Sequence, residues 1–246
     1  MDLAEIAMLI GGGFLAGVVN TLAGGGSLLT IPLLVLVGLP GNVANGTNRL
    51  GVVIQSAMAA WSFRSQGVTE VRSALSVVGP LVLGSLIGAL WVSQLPDSVF
   101  EKAFGVVMLL LLFPVFLRRS EPSRAAGRAW SPKTSAAVFF AIGLYGGAFQ
   151  AGIGVLLLLA LSHTGVGLVR GNAIKVLVVA ATALVALPVF IAAGQIAWLP
   201  AGLLAMGLAA GGVVGARLAV AGGERLIRPV VAVAVVALAA RMLGLI

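Results

Sequence analysis

The sequence contains no cysteine and few charged residues. Of its 246 residues, 9% are charged, one is a histidine and none is a cysteine. Without cysteine, disulfides, cysteine-ligated metal sites and thiol catalysis are excluded. With 60% hydrophobic residues, the chain has too few polar side chains to cover a water-soluble globule, so it is predicted to be a polytopic membrane protein.

The apolar runs are long and continuous, without the alternation that a membrane β-barrel needs, and they favour an all-α fold. A helix rises about 1.5 Å per residue, so about 20 residues cross the ~30 Å hydrocarbon layer. The runs that qualify as spans are 43–63, 74–94, 100–117, 173–193, 197–220 and 226–243. The N-terminus, MDLAEIAMLI, lacks the basic region of a cleaved signal peptide and is predicted to start the first membrane segment.

The net charge of +8 is carried by the loops between the apolar runs, which argues against a nucleic-acid partner. A dense basic stretch, RRSEPSRAAGRAWSPK, divides the chain near its middle. The seven carboxylates lie at termini, in loops or at predicted helix ends, so none is placed for a proton relay inside the membrane. His163 lies close to a predicted helix end, where an interfacial histidine is the simpler interpretation.

The second half of the chain resembles the first at a shift of 127 residues, which indicates an internal duplication. The shift pairs Asn45 with Asn172, Phe63 with Phe190, Gly84 with Gly211 and Gly88 with Gly215, and a small change in loop length also pairs Asn20 with Gln150, Gly24 with Gly152 and Gly26 with Gly154. The predicted organisation is a first half over 1–118, a cytoplasmic basic linker over 119–132 and a second half over 133–246.

Each half is predicted to contain a short helical hairpin followed by three transmembrane helices. The predicted segments are a hairpin at 4–38 with helices at 43–63, 74–94 and 98–117, then a hairpin at 134–166 with helices at 171–193, 196–220 and 224–244. The second arm of each hairpin is short for a full crossing, so a re-entrant hairpin is the simpler of the two interpretations. In either case each half crosses the membrane an odd number of times, which inverts the second half.

The distribution of basic residues agrees with an inverted topology under the positive-inside rule. With the N-terminus outside, 12 basic residues lie inside and three, Arg49, Lys102 and Arg241, lie outside. The basic linker is then cytoplasmic, and both termini are on the far side of the membrane.

The stretch NTLAGGGSLLTIP, residues 20–32, places polar and helix-breaking residues at membrane depth. Non-helical backbone is tolerated there when protein buries it or when it lines a watery cavity. Two inverted hairpins would bring their glycine turns together near the midplane of the membrane. The helix that begins at such a turn has free backbone N–H groups at its start, and these favour an anion. We therefore expect ligand contact at Gly24, Gly25 and Gly26, with helix packing as the alternative. For the glycine pairs of the long helices, packing is the expected role.

A second polar cluster opens the helix after each hairpin, in NGTNRLG from Asn45 and in GNAIKVL from Gly171. In both, a polar residue recurs three positions on, which places Asn45 with Asn48, and Asn172 with Lys175, on one helix face. Several donors and a cation on a buried face suit an oxyanion.

Other roles for these residues remain open. Arg49 and Lys175 could snorkel to the membrane surface, since both lie near predicted helix ends. The asparagines could cap the helix N-termini. Gln55, deeper in the same helix, either makes an interhelical hydrogen bond or contacts the substrate.

The stretch AGVVNTLAGGGSLLTIPLLVLVGLP, followed by ANGTNRLG and a weaker copy of the pattern, resembles the TauE/SafE family of sulfite exporters over nearly the whole chain. The resemblance implies a multi-pass permease of the bacterial inner membrane for small sulfur-containing anions such as sulfite, sulfoacetate or other organosulfonates. The motif residues it carries over are Asn20, Gly24, Gly25, Gly26, Pro32, Asn45, Gly46 and Thr47. In the second half Ile174 replaces the threonine and Lys175 replaces Asn48, which argues against two symmetric sites.

The combined prediction is an all-α, inverted-repeat transporter, an exporter or facilitator, and not an enzyme. Its expected partners are a small anionic substrate and the lipid bilayer, with a homodimer possible and with no cofactor, metal or nucleic acid. The predicted substrate-binding residues are Asn20, Gly24, Gly25, Gly26, Ser27, Asn45, Thr47, Asn48, Gln150, Gly152, Gly154, Asn172 and Lys175.

Three alternatives to a carrier remain. A channel-like permease would use the same polar residues without a gating change. An intramembrane serine hydrolase would pair Ser27 with His163, but Leu28 follows the serine where such enzymes need glycine. A scaffold without transport activity would need no inward polar cluster.

Overall fold

The computed structural model describes residues 1–117, 130–163 and 166–222. Within these ranges the chain forms nine α-helices and no strand. The helices are α1 (Leu3–Ala23), α2 (Ser27–Leu36), α3 (Gly41–Ser65), α4 (Val71–Val92), α5 (Asp97–Leu117), α6 (Pro132–Phe149), α7 (Ile153–Ser162), α8 (Leu168–Ala192) and α9 (Trp198–Val220). The all-α fold predicted from the continuous apolar runs is confirmed over the described residues.

The ends of the long helices differ from the predicted ranges by three residues or fewer. The predicted final helix, 224–244, and most of the predicted linker, 119–132, lie outside the described residues. Helices α3 and α8 have 25 residues each, and α8 begins at Leu168, 127 residues after Gly41. Helices α2 and α7 have 10 residues each. Equal lengths at the sequence shift are what a duplication requires, and the duplication itself stays a prediction.

Four of the described helices, α1, α4, α8 and α9, are long and apolar enough to cross a membrane. Large apolar side chains such as Trp61, Leu83 and Trp198 are exposed on the outside of the bundle, as expected where lipid replaces water. Helix α3, predicted as a full span, is not among the four. Its first half carries the polar residues from Asn42 to Arg49, and it is buried by neighbouring helices along that half.

Helix α2 folds back along α1. A methyl group added at Gly12 would lie 2.5 Å from Leu33 Cδ1, and one added at Gly26 would lie 2.5 Å from the carbonyl oxygen of Ala16. The end of α2 therefore lies beside the first half of α1, and its start lies beside the second half. The two arms run antiparallel, as a re-entrant hairpin requires.

Close glycine contacts join helices from the two predicted halves. Helix α1 packs on α9, where a methyl group at Gly211 would lie 3.0 Å from Gly17 Cα. Helix α4 packs on α6, where a methyl group at Gly88 would lie 2.9 Å from the backbone nitrogen of Ala148. The backbones approach closely because these residues lack a Cβ. The packing role expected for the glycine pairs of the long helices is therefore confirmed at these positions.

Helices α3 and α8 run in opposite directions. At one end, the hydroxyl of Thr47 in α3 accepts a hydrogen bond from the backbone N–H of Ala197, just beyond the end of α8, at 2.9 Å. At the other end, Glu70, beyond the end of α3, accepts hydrogen bonds from Arg170 at the start of α8. This bond from Arg170 is the main cause that holds the pKa of Glu70 below its ordinary value. An inverted repeat requires this antiparallel course, and the inversion of the halves stays a prediction.

Candidate functional site

The first turn lies between α1 and α2. Helix α1 ends at Ala23, and Gly24 takes a left-handed conformation with φ +83°, which glycine adopts without strain. The N–H of Gly24 bonds back to the carbonyl of Asn20 at 2.9 Å. The side chain of Asn20 then accepts the N–H of Gly26 at 3.3 Å, which fixes the turn just before α2 begins at Ser27.

The second turn lies between α6 and α7 and is built differently. Gln150, at φ +59°, is the non-glycine residue with a left-handed backbone among the described residues, and Gly152 follows at φ +65°. The hydroxyl of Tyr145 donates to the carbonyl of Ala151 at 2.5 Å. A side chain in the left-handed region is unfavourable by about 1–2 kcal/mol, so its presence in this turn indicates that the surrounding contacts hold it.

The two turns touch each other in the interior of the protein. A methyl group added at Gly24 would lie 2.5 Å from Gly154 Cα, and one added at Gly154 would lie 2.9 Å from the carbonyl oxygen of Gly24. The prediction that the glycine turns meet is confirmed. Their backbones fill the space directly between these two residues, so a solute bound in this conformation has to lie beside the contact and not within it.

Each turn presents two backbone N–H groups, on buried residues, that have no partner within the described part of the chain. Among the described residues, nothing accepts a hydrogen bond from the backbone nitrogens of Gly25 and Ser27 in the first turn, or of Gly152 and Gly154 in the second. All four residues are buried. A buried unpaired donor costs about 1–3 kcal/mol, so a cluster of them points to a missing acceptor.

Gly25 differs from its two glycine neighbours. A methyl group there would meet Leu28 Cδ1 at 3.5 Å, which is ordinary van der Waals contact, whereas one at Gly26 would lie 2.5 Å from a backbone oxygen. Gly24 and Gly26 are therefore required by close packing. Gly25 leaves room beside the unpaired amides, as a ligand contact would need.

Asn48 and Arg49, adjacent on α3, connect the two turns. Asn48 donates to the hydroxyl of Ser27 at 3.1 Å and accepts from the hydroxyl of Thr30 at 2.6 Å, which holds it against the start of α2. Arg49 reaches the end of α6, where it donates to the carbonyl of Gly147 at 2.6 Å and to the side-chain oxygen of Gln150 at 2.5 Å.

Arg49 is completely buried, and its guanidinium lies over the ring of Phe190 at 5.0 Å. It also donates to the carbonyls of Gly146 and Ala148. Two side-chain donors beside this junction are nevertheless unpaired among the described residues, Arg49 Nε and Gln150 Nε2. Both lie beside the break between α6 and α7, where a bound solute could accept from them.

The remaining predicted asparagines are structural partners of the two cations. Asn45 donates to the carbonyl of Ala148 at 2.8 Å, and its oxygen faces Arg49. Asn172 accepts from Lys175 at 2.8 Å. The N-capping interpretation for Asn45, Asn48 and Asn172 is wrong, because α3 begins at Gly41 and α8 at Leu168, which places all three inside helices.

Lys175 lies at the end of α1. Its ammonium donates to the carbonyls of Asn20 at 2.8 Å and Thr21 at 2.7 Å, and its exposed fraction is 2%. Snorkelling is therefore wrong for Lys175 and for the equally buried Arg49. Neither residue lies in a loop. Lys175 therefore no longer counts among the inside basic residues, and Arg49 no longer counts among the outside ones.

Two further predicted residues have other partners. Gln55 accepts from Asn20 at 2.5 Å and donates to Thr21 at 2.8 Å, so its interhelical hydrogen bond is confirmed. Thr47 is buried, but its hydroxyl holds the N–H of Ala197 before α9. The structure does not bring Thr47 to the turns.

Sequence reasoning missed Thr21 and Thr30, and it assigned Arg49 no partner. The threonines give no signal of their own, since a lone threonine in an apolar helix is common. For Arg49 the internal repeat gave a signal. The 127-residue shift pairs Lys175 with Asn48, so each half carries a cation at nearly the same place, but the two cations are offset by one residue and did not align.

Within the described residues, four backbone N–H groups and two side-chain N–H groups at the two turns are unpaired donors, and Arg49 adds a positive charge. The N-termini of α2 and α7 add their positive dipole ends. Such a set suits a small anion. No group of three or more metal-ligating side chains lies within the part of the chain that the structure describes.

Ser27 and His163 have separate partners. The hydroxyl of Ser27 accepts from Asn48, whereas His163 is exposed, contacts the carbonyl of Leu159 at 3.0 Å and stacks on Trp130. A hydrolytic dyad needs the histidine within hydrogen-bond reach of the serine. This conformation does not provide that pair.

A family model described as sulfite exporter TauE/SafE matches residues 9–242. A probable membrane transporter protein, ORF9, of Sinorhizobium sp is 26% identical over 241 residues, which cover 97% of this chain and 92% of the relative. A probable membrane transporter protein of Haemophilus influenzae is 27% identical, covering 96% and 94% of the two chains. The probable membrane transporter protein YfcA of Escherichia coli K12 is also 27% identical, covering 93% and 86%. No solved structure matches the chain.

Proposed function

The chain belongs to the sulfite exporter TauE/SafE family and is a membrane transporter, and on this premise we propose that it carries small sulfur-containing anions such as sulfite or organosulfonates. We place it in the bacterial inner membrane, with both termini on the non-cytoplasmic side. The substrate binds at the two turns and beside the Gly24–Gly154 contact.

The observation that carries the proposal is the cluster of unpaired donors beside two buried cations. Four backbone N–H groups and two side-chain N–H groups at the turns lack an acceptor within the described residues. A sulfite or sulfonate group offers three oxygens that accept hydrogen bonds. Charge-assisted bonds of this kind are roughly twice as strong as neutral ones, which favours an anion over a neutral solute.

The charge of the site has the sign that an anion requires. Arg49 and Lys175 are both buried beside the turns, and burial strengthens their field because little water screens it. Hydrogen bonds to the ends of α1 and α6 hold both cations in place. A substrate that gives up its hydration shell is then compensated by donors already oriented for it.

A flux screen with the full-length protein in proteoliposomes tests the substrate class. We expect saturable uptake of sulfite or of an organosulfonate such as sulfoacetate or taurine, with mutual competition among the accepted anions. An uncharged analogue, dimethyl sulfone, should neither be transported nor compete, because it brings no charge to the buried cations.

Sulfate uptake in the same screen, compared with sulfite uptake, shows whether the site accepts a doubly charged oxyanion. Empty liposomes are the control for leakage. Flux that rises linearly with concentration would favour the channel-like alternative over a carrier. Equal uptake of dimethyl sulfone and sulfite would contradict an anion site.

A further inference from the structure

Lys175 lies at the carbonyl end of α1, the helix that ends at the first turn. Transporters with discontinuous helices commonly use such a helix end to bind a coupling cation. The last carbonyls of a helix lack intrahelical partners and carry its negative dipole end. In α1, two of these carbonyls, Asn20 and Thr21, accept from the Lys175 ammonium at 2.8 and 2.7 Å. The coupling Na⁺ or H⁺ of transporters with discontinuous helices is held by helix ends of this kind.

The oxygen set around the ammonium resembles the ligand set of a small cation. Among the described residues, the side-chain oxygen of Asn172, one turn before Lys175 on α8, is a third oxygen at 2.7–2.8 Å from the nitrogen, beside the two carbonyls. All three are neutral amide or carbonyl oxygens, which hard cations accept as ligands.

The carbonyl end of α6, the helix before the second turn, is also bound by a side-chain cation. The end of α6 presents the carbonyls of Gly146, Gly147 and Ala148, and all three accept from the Arg49 guanidinium. Arg49 belongs to α3 in the first predicted half and binds the end of α6 in the second. Lys175 belongs to α8 in the second predicted half and binds the end of α1 in the first. A side-chain cation therefore occupies the carbonyl end of both broken helices.

We propose that the Lys175 ammonium is a built-in cation that takes the place of a coupling ion at the end of α1, so that anion transport does not depend on a Na⁺ gradient. This inference deepens the proposed transport function and rests on it. Lys175 acts as a positioning residue, because its hydrogen bonds hold the end of α1 and thereby the Gly24 turn. The permanent charge also compensates the anion through its field.

The first test uses the wild-type protein in proteoliposomes, with equal K⁺ and valinomycin on both sides to clamp the membrane potential. Radiolabelled sulfite uptake should be the same, within about twofold, whether the added salt is sodium gluconate or choline gluconate. A requirement for Na⁺ in the wild type would overturn the proposal without any variant.

The second test removes the ammonium. Lys175→Ala should lower sulfite uptake in choline by about a hundredfold, because three buried oxygens lose their cation. Millimolar Na⁺ or methylammonium should restore uptake by about tenfold or more by entering the vacated position. Lys102→Ala, which removes an exposed lysine of α5, is the matched control and should behave as the wild type in both salts.

A binding measurement separates this inference from the transport function. In detergent, Na⁺ or methylammonium should raise the thermal unfolding midpoint of Lys175→Ala and leave the wild type and Lys102→Ala unchanged. Lys175→Met, which keeps the side-chain volume, should show no such effect. If the wild type carries no sulfite, the proposed function fails, and this shift still tests the built-in cation. Loss of transport in Lys175→Ala without cation rescue and without a cation-dependent shift would overturn it.

Discussion

A Gly25→Val variant is expected to fold and to lose transport. The position tolerates a Cβ, because the nearest atom would be Leu28 Cδ1 at 3.5 Å and the backbone is outside the left-handed region. The branched side chain would occupy the room beside the unpaired amides of Gly25 and Ser27. Each hydrogen bond to a charged group contributes about 1.5–3 kcal/mol, so losing one weakens anion binding by about 10- to 100-fold.

The measurement is sulfite uptake at equal amounts of reconstituted protein, together with the thermal unfolding midpoint. Gly25→Ala should give an intermediate loss, since a single methyl group fills less of the space. Uptake by Gly25→Val at the wild-type rate would show that the substrate does not bind beside this turn.

A Gly24→Ala variant is expected to fail for a different reason. Gly24 has φ +83°, and an added methyl group would lie 2.5 Å from Gly154 Cα and 2.7 Å from the backbone nitrogen of Val155. The left-handed backbone costs a non-glycine residue about 1–2 kcal/mol, and overpacking adds about 1–3 kcal/mol. Against a typical stability of about 5–15 kcal/mol, the loss is large.

For this variant we expect a much lower yield of monodisperse protein and a thermal midpoint well below that of the wild type. Gly38→Ala is the matched control. That glycine also has a positive φ, at +90°, but no atom would meet its Cβ within 4 Å, so it reports the backbone cost alone. Equal midpoints for the two variants would contradict the close contact between the turns.

Local features of the sequence were sufficient to predict the helices and the position of the turns. Glycines and polar residues interrupt otherwise continuous apolar runs at residues 20–27 and 150–154, and helix propensity changes at those points. The same interruptions identified Gly25 and Ser27, whose amides have no partner among the residues that the structure describes. These inferences depend on residues close together in the chain, where sequence patterns are strongest.

The partners of the polar side chains could not be predicted in this way. Arg49 bonds to residues about a hundred positions away in α6, and Lys175 bonds to Asn20, 155 positions away. Snorkelling was a reasonable expectation for both, because each lies near a helix start. It failed because the carbonyl ends of α1 and α6 are buried in the protein and need donors, which these two cations supply.

Amide NMR of the protein labelled with ¹⁵N-glycine and ¹⁵N-serine, titrated with sulfite in micelles, tests the anion site most directly. We expect saturable downfield shifts for the amides of Gly25, Ser27, Gly152 and Gly154, because a hydrogen bond to an anion deshields the amide proton. The packing glycine Gly88 should keep its position. Saturable sulfite binding with no change at those four amides would show that the anion does not bind at the turns.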